Sequence, residues 1–161
     1  MKEGANMNIA VFSDSHRNTK HMITAIEDYK PDCIIHLGDV APDADFISRM
    51  YPAIPMYSVR GNCDFGATAP ESLLIELGGV RMFLAHGHLH GVKMSLDSFL
   101  NSTCCSGSAL GLFGHTHRAT CRSFGNVQLF NPGSCAAGPD PTYGQITIEN
   151  GTAFCKIVKI R

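Results

Sequence analysis

Three short apolar segments near the start of the chain each end abruptly in polar residues, and this repeated pattern constrains the fold most. They have the length and composition of buried strands, and segments with helical spacing of apolar residues separate them. The predicted strands are residues 8–13, 33–37 and 55–59, and the predicted helices are residues 19–29 and 43–50. Strand, helix and strand in this order predict parallel βαβ units, so the polar strand ends should share one edge of a sheet. Thr19 is the expected N-cap of the first helix.

After residue 70 the pattern changes to strands that follow one another with little helix between them. Gly78-Gly79, Gly125-Asn126 and Asn150-Gly151 are tight-turn signals between such strands. The predicted strands are residues 73–77, 80–85, 109–113, 119–124, 127–130, 144–149 and 152–160, with a short helix over residues 92–100. This half is therefore predicted to be mostly antiparallel. With 161 residues and no internal repeat, one domain spanning residues 1–161 is expected.

Composition excludes several classes of function. Thirteen Lys and Arg against fourteen Asp and Glu give a formal charge of −1, so no broad surface for nucleic acid is expected and phosphate recognition must be local. No apolar run approaches the roughly twenty residues of a membrane span, and residues 1–8 are too polar for a signal peptide. A cytoplasmic location without membrane attachment is the expectation.

Seven cysteines form no Cys-x-x-Cys pair and leave an odd number. This count favours reduced thiols over a disulfide framework. Most of the cysteines are expected to act as small hydrophobic residues in the core.

Five predicted strand ends carry residues that bind metal ions. They are Asp14 and His16, then Asp39, then Asn62, then His86, and finally His115 and His117. If Gly114-His115-Thr116-His117 continues a strand, both imidazoles lie on one face. The set exceeds one tetrahedral zinc ion and suits two divalent ions that share a carboxylate, with Mn²⁺ favoured and Fe, Co, Ni, Zn or Mg compatible. Two such cations can hold a hydroxide and neutralise a phosphoryl group, so phosphoester hydrolysis is the predicted reaction.

The alternatives are a structural role and a different use of the metal. An aspartate directly after a strand is often only a turn or cap residue, which applies to Asp14 and Asp39. Metal sensing or storage is a further possibility. Five strand ends in sequence order argue against coincidence.

These motifs resemble the calcineurin-like metallophosphoesterase superfamily, over residues 8 to about 148. The matching blocks are Asp-x-His at 14–16, Gly-Asp at 38–39, Gly-Asn at 61–62, His86, and Gly-His-x-His at 114–117. Small size, Gly-Asn-Cys-Asp at 61–64 and Asn-Pro-Gly-Ser at 131–134 resemble its compact, single-domain YfcE-type branch of phosphodiesterases.

The resemblance implies a four-layer αββα sandwich, an α/β fold in which two mixed sheets are flanked by helices. It assigns Asp14, His16 and His117 to one metal ion, Asn62, His86 and His115 to a second, and Asp39 to a bridging position. In the same scheme Asp39, Asn62 and His86 are catalytic, and a metal-bridging hydroxide attacks a small-molecule or nucleotide-like phosphoester. Relatives often form dimers or tetramers, so a homo-oligomer is an additional expectation.

One position departs from the wider superfamily. Many of its phosphatases have histidine after the Gly-Asn pair, where the imidazole helps the leaving oxygen depart, whereas this chain has Cys63. A neutral thiol is a poor acid toward an alkoxide, so a preference for diesters with good leaving groups is predicted. The expected substrate contacts are Asn18, Cys63, His88 and Arg118.

The remaining polar residues near the motifs are given structural roles. His21 and His36 are expected to be structural, and Asp64 is expected to stabilise its own loop or a neighbouring histidine. His88 and His90 have three alternatives, which are donation to the substrate, orientation of His86, and a solvated position in the loop. The retromer scaffold subunit shares this fold and binds proteins, so a catalytically silent scaffold is the rival hypothesis. A scaffold can lose ligands, whereas all seven expected positions are filled here by competent side chains.

Overall fold

The computed structural model describes residues 6–136 and 138–161, which form two five-stranded sheets with helices on their outer faces. The strands are β1 Met7–Phe12, β2 Cys33–His36, β3 Met56–Ser58, β4 Ser72–Leu77, β5 Val80–Ala85, β6 Leu110–Leu112, β7 Thr120–Phe124, β8 Val127–Asn131, β9 Thr142–Glu149 and β10 Thr152–Lys159. The α-helices are α1 Thr19–Tyr29, α2 Ala41–Met50 and α3 Asp97–Cys105, and a 3₁₀ helix covers His88–His90. Of the N-terminal segment judged too polar for a signal peptide, residues 1–5 lie outside the described residues.

The first sheet has the order β10-β9-β1-β2-β3, with β1 at its centre. β1, β2 and β3 run parallel, whereas β9 pairs antiparallel with both β1 and β10. Side chains alternate across β1, as they must in a strand buried on both faces. Ile9 and Val11 join the cluster between the sheets, while Ala10 and Phe12 pack toward the helices.

The second sheet has the order β4-β5-β6-β8-β7 and packs against the first. Leu84 and Leu112 enter the cluster between the sheets, whereas Phe113 and Leu129 pack with Phe99 of α3 on the outer face. Met22 and Ile26 of α1 cover the other side of the molecule. The resulting order of layers, helices, sheet, sheet and helix, confirms the αββα sandwich.

The second sheet is mixed, because β6 runs parallel to both β5 and β8. The prediction of a mostly antiparallel second half is therefore right for the hairpins and wrong for the centre of this sheet. A long connection that contains α3 joins β5 to β6 and permits their parallel pairing. This orientation directs the carboxyl ends of β5 and β6 toward the same edge.

Three local predictions need correction. The third helix is Asp97–Cys105 rather than residues 92–100, because residues 91–94 form turns, in which the amides of Met94 and Ser95 donate to the Gly91 carbonyl. Asn18, not Thr19, is the N-cap of α1, and its side-chain oxygen accepts a hydrogen bond from the His21 amide. The cysteines are also not mostly core residues: Cys33, Cys135 and Cys155 are buried or half-buried, whereas Cys63, Cys104, Cys105 and Cys121 are exposed.

Candidate metal centre

The carboxyl ends of five strands meet where the two sheets face each other. β1, β2 and β3 of the first sheet and β5 and β6 of the second end beside one another, and the seven predicted ligands follow these strands. The tightest group is Asp14, His16, Asp39 and His117, each of which offers a ligand atom within 4.8 Å of the others. The predicted convergence of polar strand ends therefore occurs.

Asp14 is the buried centre of this group. Its Oδ2 accepts hydrogen bonds from the Ser13 hydroxyl (2.6 Å) and the His115 amide (3.0 Å). Its Oδ1 receives no hydrogen bond in the described part of the chain, although it lies 3.2 Å from His117 Nε2. A buried carboxylate oxygen without a donor is costly unless a cation binds it. The unsatisfied oxygen and the surrounding imidazoles therefore fit a metal ion.

A second group of predicted ligands lies on the other side of Asp39. His86 Nε2 is 3.1 Å from Asn62 Oδ1 and 3.4 Å from Asp39 Oδ2. His86 Nδ1 is 2.8 Å from the Leu37 carbonyl, so this nitrogen carries the proton and Nε2 faces the cluster. The His115 ring completes the group, with its centroid 5.1 Å from that of His86.

Asp39 and His86 stabilise each other's charged forms. Burial alone disfavours charge on both, but the His86 hydrogen bond and the Cys63 amide outweigh it and hold the pKa of Asp39 far below its usual range. Burial likewise opposes charge on His86, yet Asp39 and Asp14 raise the pKa of this imidazole.

Five of the predicted ligands have left-handed backbone conformations. They are Asp14, His16, Asp39, His115 and His117, with φ between 44° and 67°. A non-glycine residue in this region costs about 1–3 kcal/mol, and such strain clusters at functional sites. The expectation that His115 and His117 extend a strand is therefore wrong. Instead, the left-handed loop directs His117 toward Asp14 and His115 toward His86.

The glycines of the motifs are required by close packing. A Cβ at Gly61 would collide with the side chain and amide of Asp39, and one at Gly38 would lie 2.7 Å from the Gly61 nitrogen. A Cβ at Gly114 would collide with the Ser13 hydroxyl. Each glycine thus allows one ligand loop to approach another.

Asp64 joins two of the ligand loops. Its Oδ2 accepts the amides of Asp39 (3.0 Å) and Gly61 (2.8 Å), and its Oδ1 accepts that of Ala41 (2.7 Å). The predicted role in its own loop is confirmed and extends to the loop of Asp39.

A buried polar network supports the Asp14–His16 loop. The Gly38 amide donates to His36 Nδ1 (3.2 Å), which leaves Nε2 to donate to the Ser15 hydroxyl (3.1 Å). Ser15 donates in turn to Asp43 Oδ2 (2.6 Å), and this oxygen also accepts the Arg17 amide (2.7 Å). His36 is structural as predicted, whereas Ser15 and Asp43 carry supporting roles that the sequence reasoning missed.

Asn131 is the other missed residue. It ends β8, is fully buried, and donates from Nδ2 to the Gly114 carbonyl and the Thr116 hydroxyl, both at 3.0 Å. The sequence carried a signal, since a polar residue directly after an apolar strand also marks the ligands. The composition of residues 131–134 is typical of a tight turn, and this concealed the likeness of Asn131 to the other polar residues at strand ends.

The four predicted substrate contacts lie in different surroundings. Cys63 is exposed beside Asp39, whose Oδ1 accepts its amide, and partial desolvation together with that carboxylate raises the pKa of the thiol. The His88 ring centroid lies 5.5 Å from that of His86 and 6.2 Å from that of His115. Arg118 is exposed directly after the ligand His117, and Asn18 caps α1.

Two grooves of opposite charge adjoin the cluster. The acidic groove, about 1010 Å³, is lined by Arg17, Asp43, Asp45, Asp64 and Phe65, among others. The basic groove, about 540 Å³, is lined by Val92, Lys93, Leu96, Phe113, Thr116, Arg118, Thr120 and Arg122. No carboxylate within residues 6–136 or 138–161 lines the basic groove.

Fold and ligand set define a metal-binding protein of the kind that hydrolyses phosphoesters. The chain belongs to the calcineurin-like phosphoesterase superfamily, whose domain matches residues 7–151. It is 31% identical over 153 residues to the probable metallophosphoesterase YsnB of Bacillus subtilis, covering 91% of this chain and 88% of that one. Over 102 residues it is 33% identical to the phosphodiesterase YfcE of Escherichia coli, covering 55% of this chain and 50% of that one.

Solved structures agree on the fold. A predicted phosphoesterase from Streptococcus pneumoniae superimposes with a TM-score of 0.80 at 28% identity, covering 96% of this chain and 90% of the other. Vps29 from Entamoeba histolytica, solved with Zn²⁺, gives a TM-score of 0.72 at 17% identity, covering 96% and 100%, which is a likeness of fold alone. No helix in the described residues is long and apolar enough to span a membrane.

Proposed function

We propose that this protein is a phosphodiesterase with two divalent metal ions. The observation that carries the proposal is the arrangement of ligands around Asp39. Asp14, His16 and His117 form a first side, each with a ligand atom within 4.8 Å of one of Asp39. Asn62, His86 and His115 form a second side, which meets Asp39 through His86 Nε2, 3.4 Å from Asp39 Oδ2. Each side offers three ligands, so each needs a shared carboxylate to complete a site of four. The unsatisfied Oδ1 of Asp14 independently supports a cation on the first side.

The bound ions would supply a nucleophilic water at neutral pH and neutralise charge on the phosphoryl group. The chain's own residues prepare the site for this. The Leu37 carbonyl fixes the tautomer of His86, and the Cys63 amide orients Asp39. Asn62 and His86 lie beside Asp39, where they would contact the reacting phosphoryl group. Mn²⁺ is the first ion to test, because oxygen and imidazole ligands without thiolate suit it.

Hydrolysis of bis(p-nitrophenyl) phosphate, measured with Mn²⁺ and with excess chelator, tests the proposal. Turnover should require the metal, and elemental analysis should find two ions per chain. His115→Ala and His117→Ala should each lower metal content and turnover, because each removes a ligand from a different side. His21→Ala is the matched control, since His21 lies on α1 and contacts the Cys135 carbonyl rather than the cluster. Full activity in either ligand variant would contradict the assignment.

The rival hypothesis is that the protein is a protein-binding scaffold, and the fold likeness to Vps29 is the reason to test it. The complete ligand set and the closely packed glycines favour the enzyme, because a scaffold has no need of either. A protein that binds metal ions yet hydrolyses no phosphodiester or monoester with any divalent ion would favour the scaffold instead.

A further inference from the structure

The basic groove departs from the charge balance of the rest of the molecule. The whole chain has a formal charge of −1, yet this groove presents Lys93, Arg118 and Arg122 without a lining carboxylate among the described residues. All three cations are exposed. The ion pairs that Lys and Arg form with carboxylates in the described ranges are Arg60–Glu71 and Lys159–Asp140, so the groove cations have no acidic partner there.

The groove begins at the ligand loop itself. Thr116 stands between the ligands His115 and His117, and its hydroxyl is held by Asn131 and by the Arg118 amide. Arg118 follows His117 directly, and Lys93 lines the groove together with Thr116 and Arg118. A substituent on a phosphorus atom bound at the cluster can therefore extend into the groove.

The lining of the groove is both cationic and apolar. Leu96 is half-buried and contributes apolar surface, Phe113 and Val92 form a buried apolar floor, and the charged groups come from other lining positions. Arg122 is held over the ring of Phe124, with Cζ 5.0 Å from the ring centroid. A volume of about 540 Å³ accommodates a group of nucleoside size. The acidic groove, in contrast, carries Asp43, Asp45 and Asp64 against the single cation Arg17.

We propose that the basic groove binds one ester substituent of the substrate and selects substituents that carry a further negative charge next to an apolar or aromatic group. Phosphodiesters of phosphorylated nucleosides belong to this class. The inference rests on the proposed hydrolysis and specifies its substrate. An anionic group gains charge-assisted hydrogen bonds from the three cations, whereas in the acidic groove it would meet carboxylates.

A matched pair of substrates tests this selectivity. Both are p-nitrophenyl esters of thymidine 5′-phosphate, one with a free 3′-hydroxyl and the other with a 3′-phosphate, so the leaving group and the scissile phosphorus are identical. With Mn²⁺ at low ionic strength, kcat/KM should be about tenfold higher for the 3′-phosphorylated ester, the combined effect of two or three partly exposed ionic contacts. The ratio should fall toward one at high salt.

The variant Lys93→Gln/Arg118→Gln/Arg122→Gln should reduce the ratio to near one. Arg49→Gln/Lys156→Gln/Arg161→Gln is the matched control, because it removes two arginines and one lysine from exposed positions outside the basic groove. This control should keep the tenfold ratio. A wild-type ratio near one, or an unchanged ratio in the groove variant, would overturn the proposal.

Binding provides a readout that does not depend on turnover. Calorimetry should show thymidine 3′,5′-bisphosphate binding about tenfold more tightly than thymidine 5′-monophosphate to the wild type, and equally to the groove variant. If neither ester is hydrolysed but the binding ratio holds, the proposed hydrolysis fails and the groove assignment stands. If hydrolysis proceeds and both ratios are near one, only the groove assignment fails.

Discussion

Asp64→Asn is a sharp test of how the ligand loops are held together. The carboxylate is nearly buried and accepts three amides, those of Asp39, Gly61 and Ala41. An asparagine has one oxygen, so the orientation that keeps the first two amides places its NH₂ group against the Ala41 N–H. The opposite orientation loses two amides instead of one.

The expected loss in the free energy of unfolding follows from these three hydrogen bonds. One amide loses its acceptor, which costs about 1–3 kcal/mol, less where water can replace the acceptor, as at the half-buried Ala41. The two remaining hydrogen bonds change from charged to neutral, and their combined contribution to the free energy of unfolding falls by about 1 kcal/mol or slightly more. We expect a loss of about 3 kcal/mol in the free energy of unfolding, which corresponds to about 6–12 °C in Tm for a domain of this size.

Metal affinity should fall as well, by about 10- to 100-fold, because the Asp39 amide loses its charged anchor and the carboxylate is no longer held in place. Thermal unfolding is measured with chelator present, so that the lower Mn²⁺ affinity does not add to the loss in the free energy of unfolding. Calorimetric titration with Mn²⁺ gives the affinity.

Asp45→Asn is the control for this experiment. Asp45 is exposed on α2, and its side chain forms no hydrogen bond in the part of the chain that the structure describes. The substitution removes the same charge. Its unfolding free energy should change by less than about 0.5 kcal/mol. A wild-type Tm and Mn²⁺ affinity in Asp64→Asn would refute the idea that this carboxylate holds the loops.

Two further predictions concern neighbouring positions of the same loop. Gly61→Ala should lower Mn²⁺ affinity and turnover at least tenfold, because the new Cβ collides with Asp39; metal titration checks this, and an unchanged affinity would show that the loops can separate without cost. Cys63→His should raise kcat/KM more for alkyl than for aryl esters, since an imidazolium is a better acid than a thiol toward a poor leaving group. A series of esters with graded leaving-group pKa measures this, and equal slopes for the variant and the wild type would contradict the role assigned to Cys63.

Sequence reasoning indicated where the predicted ligands lie in the fold because their positions follow from the strands. Apolar segments that end in polar residues mark strand ends, and parallel pairing of β1, β2 and β3 brings three of those ends together. The contribution of β5 and β6 depends on a second sheet that faces the first. The order of motifs, rather than periodicity, indicated that arrangement, because it resembles a superfamily with two facing sheets.

The supporting residues were harder to predict because their partners are distant in sequence. Ser15 meets Asp43 only after its loop and the first turn of α2 pack beside His36, and Asn131 reaches Gly114 across the β6–β8 pair. Nothing in the local pattern distinguishes such residues from ordinary cap and turn residues. Backbone conformation was equally hidden, since a His-x-His step predicts an extended strand and the left-handed φ of both histidines arises from the loop.

The ligand loops combine a strained backbone with hydrogen bonds that hold that backbone in place. Left-handed conformations at Asp14, Asp39 and His117 are individually unfavourable, so the loops need contacts that fix them before any ligand binds. Asp64 and Asp43 accept hydrogen bonds from backbone amides of these loops, and Asn131 donates one to a loop carbonyl. The ligand atoms can then lie close together although Asp14 repels Asp39 and leaves an oxygen without a donor. Because the ligand atoms are already held close together before metal binds, metal affinity should be high, and the cost is a lower folding stability. Bound metal should therefore stabilise the ligand loops more than it stabilises the two sheets.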